Sequence, residues 1–456
     1  MKKYSSLLSL FLVLVLCLTP AAYAAGEGGE EPFSVEAAAA ILIEADTGEV
    51  LYELNPDERR FPGSITKVMT GLLTVEAAEG GAFSLDDKVT LGADLYTGIG
   101  YDGSSLKLQT GEELTVRDLL YAALLHSANE ACNALAVVVS GSIPTFVELM
   151  NQRAGELGMT DTHFCNTHGY PDEDHYTTAR DLAKLCREAL THSDLREVVS
   201  SSTYTIPPTN LHETERVLKN SNALVSNSVQ GYRYQYAIGL KTGYTSKAGY
   251  CLASAAQKDH RTVIAILLGG KYWIENDQEV PHNYFVESRR LLEHGFNSFS
   301  RKTILDKIEP IATIRVELCD SQDYVTVQPA ESLSAILPND LDPALFQRDV
   351  VLPTEPLQAP IEKGTVLGTI TLSYAGTTYG TVDLVASTSL ERSQFLYVLE
   401  RIRWVFSHLW VRLILLAVVI LILVFALRRM IYGPSRRRRR RDRERAYSSS
   451  YRGRGR

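Results

Sequence analysis

The sequence predicts an α+β domain whose sheet is covered by helices, followed by a small all-β domain and a single C-terminal transmembrane helix. Residues 33–297 have strand patterns near both ends and helical patterns between them. Residues 308–388 alternate in hydrophobicity with a period of two, and residues 405–427 are almost uniformly apolar. Strands from the two ends of a region can join one sheet that the intervening helices cover. An apolar run of about 20 residues is long enough to cross a bilayer.

The first 24 residues have the pattern of a cleaved secretory signal peptide. Lys2 and Lys3 precede an apolar run over residues 7–18, and Ala22-Tyr23-Ala24 offers small residues at a cleavage site. An uncleaved anchor is the less favoured interpretation, because the run is short for a membrane span. We therefore expect the chain to be exported.

Residues 33–297 form the first predicted domain, and its elements follow from periodicity. Apolar residues alternate around the turn Asp46-Thr47-Gly48, which indicates a hairpin, and recur at helical spacing in several later segments. The expected elements are a hairpin over 39–52 and a helix that begins at Ser64. Further helices are expected over 115–136, 146–157, 178–190 and 285–296, and strands over 249–256 and 262–268. The Ser- and Asn-rich residues 193–233 predict a long surface excursion.

Residues 308–388 form the second predicted domain. Five segments alternate in hydrophobicity and are separated by turn residues such as Tyr374-Ala375-Gly376. The predicted strands span residues 312–318, 324–327, 350–352, 366–372 and 380–385. A linker helix over 393–404 then leads into the predicted span over 405–427, in which Arg412 can extend its side chain to the membrane surface.

Charge predicts the orientation of the chain. The tail over residues 428–456 has thirteen arginines and two acidic residues, a net charge of +11, whereas residues 4–411 have a net charge of −22. By the positive-inside rule the tail is cytoplasmic and both domains lie on the extracytoplasmic side of the cell membrane. The acidic ectodomain argues against a nucleic-acid partner, and the arginine run 436–441 is interpreted as a topology determinant.

The sequence predicts neither a metal site nor a cofactor. Five cysteines remain after removal of the signal peptide, without CxxC or Cys/His zinc spacing, and whether they form disulfides stays open. His168 and His175 have no acidic partner at triad or metal spacing. We interpret both histidines as structural hydrogen-bonding residues.

A Ser-x-x-Lys motif indicates nucleophilic catalysis. Ser64 and Lys67 are one helical turn apart, so the lysine amine can deprotonate the serine if burial or a second cation lowers its pKa. Ser104 and Lys107 have the same spacing, but they lie in a Gly-rich segment with the texture of a loop. We therefore expect Ser64 to be the nucleophile.

Two further motifs supply the other groups that acyl transfer needs. Ser127-Ala128-Asn129 lies at the end of a predicted helix, where the hydroxyl could relay a proton and the amide could bind a peptide carbonyl. Lys241-Thr242-Gly243 ends a predicted strand, where the lysine could attract an anion and serve as the second cation beside Lys67. Each motif alone could be a helix cap or a polar turn, but all three in this order favour an active site.

The sequence around these motifs resembles the D-alanyl-D-alanine carboxypeptidases, which are low-molecular-weight penicillin-binding proteins. The resemblance covers residues 35–386 and rests on residues 62–70, 103–106, 166–169, 175–181, 239–249 and 359–364. It implies a β-lactamase/transpeptidase-like catalytic domain over 33–297 and a β-rich C-terminal domain over 308–388. Gly63 stands where Ala is more usual, Ala128 replaces Gly, and Ser221 stands where some relatives have a basic residue.

The resemblance also implies a substrate, an inhibitor class and roles for the site residues. Ser64 would attack the bond between the terminal D-alanines of a peptidoglycan stem peptide, with the backbone N–H groups of Ser64 and Tyr244 as the oxyanion hole. Ser127 would pass a proton to the departing D-alanine, and β-lactams would trap Ser64 covalently. The implied catalytic residues are Ser64, Lys67, Ser127 and Asn129, of which Asn129 would hold the acyl part of the substrate. The implied substrate-binding residues are Lys241, Thr242, Gly243 and Tyr244. Of these, Lys241 and Thr242 would bind the terminal carboxylate.

Two alternatives remain open at this stage. A β-lactamase-like hydrolase would use similar motifs, but the Glu-x-x-Leu-Asn pattern of its deacylating residue is missing, since residues 215–219 end in Lys219. A membrane-tethered penicillin-binding sensor would acylate and signal through its span, but residues 428–456 are too few for a signalling domain.

Overall fold

The computed structural model describes residues 33–270, 273–275, 278–280, 283–320 and 322–432. The predicted signal peptide and most of the arginine-rich tail lie outside these residues. The chain divides after Ser300 into two compact units.

The first unit alternates between strands and helices. Its elements are β1 (Ala39–Glu44), β2 (Val50–Leu54), α1 (Lys67–Glu79), β3 (Lys88–Thr90), β4 (Glu113–Thr115), α2 (Val116–Tyr121), α3 (Asn129–Ser140), α4 (Ile143–Glu156), α5 (Ala179–Ala189), α6 (Ser193–Ser200), β5 (Thr203–Ile206), β6 (Arg216–Lys219), β7 (Ala237–Thr245), β8 (Gly249–Lys258), β9 (Arg261–Gly270), β10 (Trp273–Glu275), β11 (Gln278–Val280) and α7 (Asn283–Asn297).

Five strands form an antiparallel sheet in the order β2-β1-β9-β8-β7. β1 and β2 come from the beginning of the unit and β7, β8 and β9 from its later part, as the strand patterns predict. All six residues of β1 are buried, because helices cover the sheet. β7 is an edge strand, and edge strands present backbone groups with which an extended peptide can pair.

Helix α1 lies in the centre of the helical part of this unit. It packs against α3 and α5, and Val68, Met69, Leu72 and Val75 on it are fully buried. A helix that is apolar on most of its faces is stable only when it is surrounded by protein, so α1 forms a rigid base for the turn that precedes it.

The helix predicted over 115–136 is interrupted in the structure. Thr115 caps α2 in a capping box with Asp118, but a π-helical turn over Ala122–His126 follows, and Ser127 has a left-handed φ of 71°. The chain re-enters a helix at Asn129. The Ser127-Ala128-Asn129 motif therefore lies at a junction between two helices, not at the end of one continuous helix.

The surface excursion predicted over 193–233 is wrong for much of its length. The segment contains α6 and the antiparallel pair β5–β6, and it buries Leu195, Val198 and Leu218. These apolar residues are few and widely spaced in a polar sequence, so periodicity alone gives no clear signal.

The second unit is an all-β domain followed by two helices, and its first strand begins two residues before the boundary. Its elements are β12 (Phe299–Leu305), β13 (Ala312–Glu317), β14 (Tyr324–Pro329), β15 (Leu333–Pro338), β16 (Gln347–Val351), β17 (Leu357–Gln358), β18 (Val366–Tyr374), β19 (Thr377–Ala386), α8 (Gln394–Ser407) and α9 (Leu409–Tyr432). Six strands form a sheet in the order β16-β18-β19-β14-β13-β17, and β12 pairs with β15. The alternating residues Val325, Val327, Ile370 and Leu384 are buried in its core.

The C-terminal helices differ from their predicted bounds. The linker helix α8 begins after the capping residue Ser393 and runs to Ser407, and α9 spans Leu409–Tyr432 instead of residues 405–427. His408 separates the two helices. The most apolar 18 residues of α9 have a mean hydropathy of 3.0, and no residue of α9 is buried within the described part of the protein, as expected for a helix that lipid surrounds.

Candidate active site

The nucleophile candidate Ser64 lies in a tight 3-10 turn that leads directly into α1. The turn spans Gly63–Thr66, and Gly63 adopts a left-handed φ of 53°, which favours glycine over alanine at this position. Lys67 begins α1, and its Nζ donates to Ser64 Oγ over 2.9 Å. The i, i+3 spacing thus brings the amine to the hydroxyl that it would deprotonate.

Lys67 has the environment of a general base. Its side chain is fully buried, and Nζ also donates to the backbone carbonyl of His168 over 2.7 Å. Burial lowers the pKa of Lys67 to about 8, and electrostatic interactions with Cys132 and with the Glu130 carboxylate oppose this shift. A substantial fraction of Lys67 is therefore neutral at mildly alkaline pH.

Lys241 is the second buried lysine of the site. Its Nζ donates to the carbonyl of Thr242 over 3.0 Å, and burial, followed by the positive charge of Lys67, holds its pKa well below the usual value. As expected from the sequence, burial is the largest cause of the lowered pKa of Lys67. Repulsion between the two buried lysines disfavours the state in which both amines are charged.

Ser127 and Asn129 are fixed by the backbone around the helix junction. Both are buried, and the Ala128 N–H donates to Ala122 O over 3.0 Å. The Asn129 N–H donates to the carbonyl of Ser104 over 2.9 Å. The loop that contains the other Ser-x-x-Lys match is therefore tied to the second motif, and Ser104 takes part through its backbone.

Thr242 has a hydroxyl partner outside its own motif. Ser221 Oγ and Thr242 Oγ1 are 2.7 Å apart, and the Ser221 N–H donates to Leu125 O over 3.0 Å. Asn222 beside it donates to Gly239 O over 3.0 Å. Ser221 occupies the position at which the resemblance led us to look for a basic residue, so a neutral hydroxyl stands beside Thr242 here.

The end of β7 packs on the turn that carries Ser64. A Cβ added to Gly243 would lie 3.2 Å from the Ser64 nitrogen, and one added to Gly63 would lie 3.6 Å from the Tyr244 nitrogen. The glycines therefore let the two backbone segments approach closely. This proximity is what two N–H groups need in order to converge on one developing oxyanion.

His168 and His175 are buried structural residues, as the sequence predicts. His175 Nδ1 accepts from the Cys165 N–H over 3.2 Å, and its Nε2 lies 2.9 Å from Thr66 Oγ1. Burial lowers the pKa of His175 to about 4 and that of His168 to about 3. Both rings are neutral at physiological pH, and they hold the loop whose His168 carbonyl accepts from Lys67.

Glu130 was missed by the sequence interpretation. It follows Asn129 on α3, it is fully buried, and its Oε1 accepts from Ser105 Oγ over 2.8 Å and from the Leu106 N–H over 2.7 Å. Its Oε2 has no hydrogen-bond partner in the structure. Glu130 therefore ties the loop around Ser104 to α3 and places a buried negative charge near Lys67.

A possible metal-binding group lies elsewhere in the first unit. Among the described residues, Glu76, Glu188 and His192 bring ligand atoms within 4.8 Å of one another. The Arg153 guanidinium contacts Glu76 and Glu188 at 2.6 Å each, so the carboxylates already have a cation partner. This arrangement is an ion-pair network, and it is separate from Ser64.

A cleft of about 600 Å³ opens onto the nucleophile. Of the predicted site residues, Ser64, Asn129 and Tyr244 line it, while Lys67 lies behind Ser64 and Gly243 packs against the Ser64 turn. The remaining lining residues are Asp102, Gly103, Ser104, His168, Gly169, Tyr170, Pro171, Thr245, Ser246 and Lys247. Ser127, Lys241 and Thr242 are not part of this lining.

Both units match families of known proteins. Residues 26–272 match the D-alanyl-D-alanine carboxypeptidase family, and residues 299–392 match the C-terminal domain of penicillin-binding protein 5. The chain is 31% identical to D-alanyl-D-alanine carboxypeptidase DacF of Bacillus subtilis over 400 residues, which are 87% of this chain and 97% of that protein. It is 34% identical to DacC of Escherichia coli over 407 residues, 87% of this chain and 95% of that protein.

Solved structures resemble the chain to a similar extent. Penicillin-binding protein 5 from Haemophilus influenzae is 27% identical with a TM-score of 0.61, and the match covers 80% of this chain and 100% of that one. A mutant of the Streptomyces K15 DD-transpeptidase is 30% identical with a TM-score of 0.52, covering 58% of this chain and 99% of that one.

Proposed function

Because the chain belongs to the D-alanyl-D-alanine carboxypeptidase family, whose activity is that of a serine-type peptidase of the cell wall, we propose that it cleaves peptidoglycan stem peptides through a covalent ester on Ser64. The observation that carries the proposal is the contact of 2.9 Å between Ser64 Oγ and the fully buried amine of Lys67. A serine hydroxyl becomes an effective nucleophile only when a base accepts its proton.

Acylation begins when neutral Lys67 takes the proton of Ser64 and the oxygen attacks the carbonyl between the two D-alanines. The backbone N–H groups of Ser64 and Tyr244 stabilise the oxyanion, which the close approach of their segments supports. Ser127 passes a proton to the nitrogen of the departing D-alanine. Water then hydrolyses the ester and regenerates Ser64.

The substrate is held on both sides of the scissile bond. Asn129, which lines the cleft, binds the acyl part, and Lys241 with Thr242 binds the terminal carboxylate beside Gly243. A buried carboxylate raises the pKa of a neighbouring amine. We therefore expect the terminal carboxylate to keep Lys241 protonated in the complex, although burial favours its neutral form in the free enzyme.

The decisive experiment measures D-alanine release from diacetyl-L-Lys-D-Ala-D-Ala by the full-length, detergent-solubilised protein. We expect release by the wild type, together with covalent labelling by penicillin, and loss of both in Ser64→Ala. Ser104→Ala removes the serine of the other Ser-x-x-Lys match and should keep penicillin labelling. Labelling without any D-alanine release would instead favour a sensor, and rapid turnover of penicillin a β-lactamase-like hydrolase.

The protein is also proposed to be a single-pass membrane protein. The apolar helix α9 supports a C-terminal membrane anchor. The arginine-rich tail at its end supports a cytoplasmic C-terminus and a catalytic unit on the extracytoplasmic side. The substrate lies on that side of the membrane, as the proposed reaction requires.

A further inference from the structure

The cleft contains an acidic residue that the proposed reaction does not use. Asp102 lines it next to Gly103, in the loop that connects to Ser104. A Cβ added to Gly103 would lie 2.9 Å from Asn129 Nδ2, so only a glycine lets this loop touch the amide. Asn129 is the group proposed to hold the acyl part, and Asp102 therefore belongs to the acyl side of the cleft.

The Asp102 carboxylate is oriented by a tyrosine that also lines the cleft. The Tyr170 hydroxyl donates to Asp102 Oδ1 over 2.8 Å, and this hydrogen bond raises the pKa of Tyr170, so the phenol stays protonated. This hydrogen bond occupies one oxygen of the Asp102 carboxylate. A carboxylate can accept further hydrogen bonds on its second oxygen and on the free lone pairs of the first.

No cation neutralises Asp102 in the described part of the chain. The nearby charges pair with each other, since Lys247, which also lines the cleft, forms an ion pair with Glu173. Lys67 and Lys241 are fully buried behind the site. The acyl side of the cleft thus presents one uncompensated negative charge to whatever occupies it.

We propose that Asp102 and Tyr170 form a subsite that binds the free side-chain amine of a diamino residue preceding the two D-alanines. The inference rests on the proposed function, because that function fixes which end of the substrate occupies the acyl side. An ammonium donates up to three hydrogen bonds, and a carboxylate held by a phenol accepts one of them with charge assistance.

The subsite lets the enzyme distinguish stem peptides whose side-chain amine is free from those whose amine is acylated. An amine that has been acylated in a cross-link carries no charge and is bulkier. Such a stem loses the attraction to Asp102, whereas a stem with a free amine keeps it. The enzyme would therefore prefer stems whose side-chain amine has not yet been joined to a neighbour.

The test compares two substrates that differ in one charge. D-Alanine release from Nα-acetyl-L-Lys-D-Ala-D-Ala and from Nα,Nε-diacetyl-L-Lys-D-Ala-D-Ala is measured with the full-length protein at pH 8. Because Asp102 is exposed, we expect kcat/KM for the free amine to be higher by about fivefold. The ratio should shrink at high salt, since screening weakens an exposed ion pair.

Variants distinguish recognition of the substrate amine from a purely structural role of the loop that contains Asp102. Asp102→Asn keeps the shape and should lower kcat/KM for the free-amine peptide by about fivefold more than for the diacetyl peptide, which abolishes the preference. Tyr170→Phe should reduce the preference in part. Asp94→Asn is the matched control, because it removes an exposed carboxylate of the same region that does not line the cleft, and it should keep the preference.

Three results would overturn the inference. Equal kcat/KM for the two peptides in the wild type would show that the amine is not recognised, while D-alanine release would leave the proposed function intact. An equal loss for both peptides in Asp102→Asn would assign a purely structural role to the residue. Release from neither peptide would reject the proposed function and the subsite with it.

Discussion

Lys67 can act as a base only in molecules in which its amine is neutral. Its pKa of about 8 means that the neutral fraction falls tenfold for each pH unit below that value and saturates above it. The kcat/KM for D-alanine release should therefore rise with pH and level off above about 8. A profile that is flat between pH 6 and 9 would contradict a lysine base.

Glu130 provides a test of this assignment, because it affects Lys67 without touching the substrate. Burial lowers the pKa of Lys67, and electrostatic interactions with Cys132 and with the Glu130 carboxylate oppose this shift. Lys67 itself donates to Ser64 and to the His168 carbonyl. Glu130→Gln should move the rising limb of the pH profile to lower pH. The exposed carboxylate of Glu148 on α4 gives the control variant Glu148→Gln, whose profile should match the wild type.

Single residues also show what a sequence can reveal about a site. The spacing of Ser64 and Lys67 within one helical turn predicted their contact, since helix geometry alone brings them together. Glu130 could not be found in this way, and Ser221 was noted only because the family resemblance points to its position. Their partners Ser105 and Thr242 are 25 and 21 positions away in the chain, and nothing in one sequence connects such pairs before the fold is known.

At the scale of secondary structure, α1 links packing to catalysis. Leu72 on this helix is fully buried, so Leu72→Ala should lower the free energy of unfolding by about 2–5 kcal/mol, through lost burial and the cavity left behind. Chemical denaturation followed by penicillin labelling of the remaining folded fraction measures this loss. Leu73→Ala changes a partly buried neighbour and should lower the free energy of unfolding by clearly less. Similar losses for the two variants would contradict the central packing of Leu72.

The elements were predicted best where local patterns control the structure. The hairpin β1–β2, the strands β8 and β9 and five strands of the second unit were predicted from local patterns, whereas β5, β6, β12 and β15 were not. The cap at Thr115 follows from its sequence context. The break at Ser127 did not, because it depends on a distant contact between the Asn129 N–H and the Ser104 carbonyl. A continuous apolar pattern contains no information about a hydrogen bond of that kind.

At the scale of the whole molecule, α9 predicts where the protein is found. A chain that ends after His408 lacks this helix, and we expect it to move from the membrane fraction to the soluble fraction while it keeps its penicillin labelling. Full-length protein should require detergent for its release. Persistence of the shortened chain in the membrane after a high-salt wash would show that another part of the protein supplies the anchor.

α9, which only His408 separates from α8, also limits how the enzyme meets its substrate. A catalyst anchored by α9 diffuses in two dimensions, in the plane of the membrane. Its output then depends on the number of copies per unit of membrane area, since tethering replaces bulk concentration by a local one.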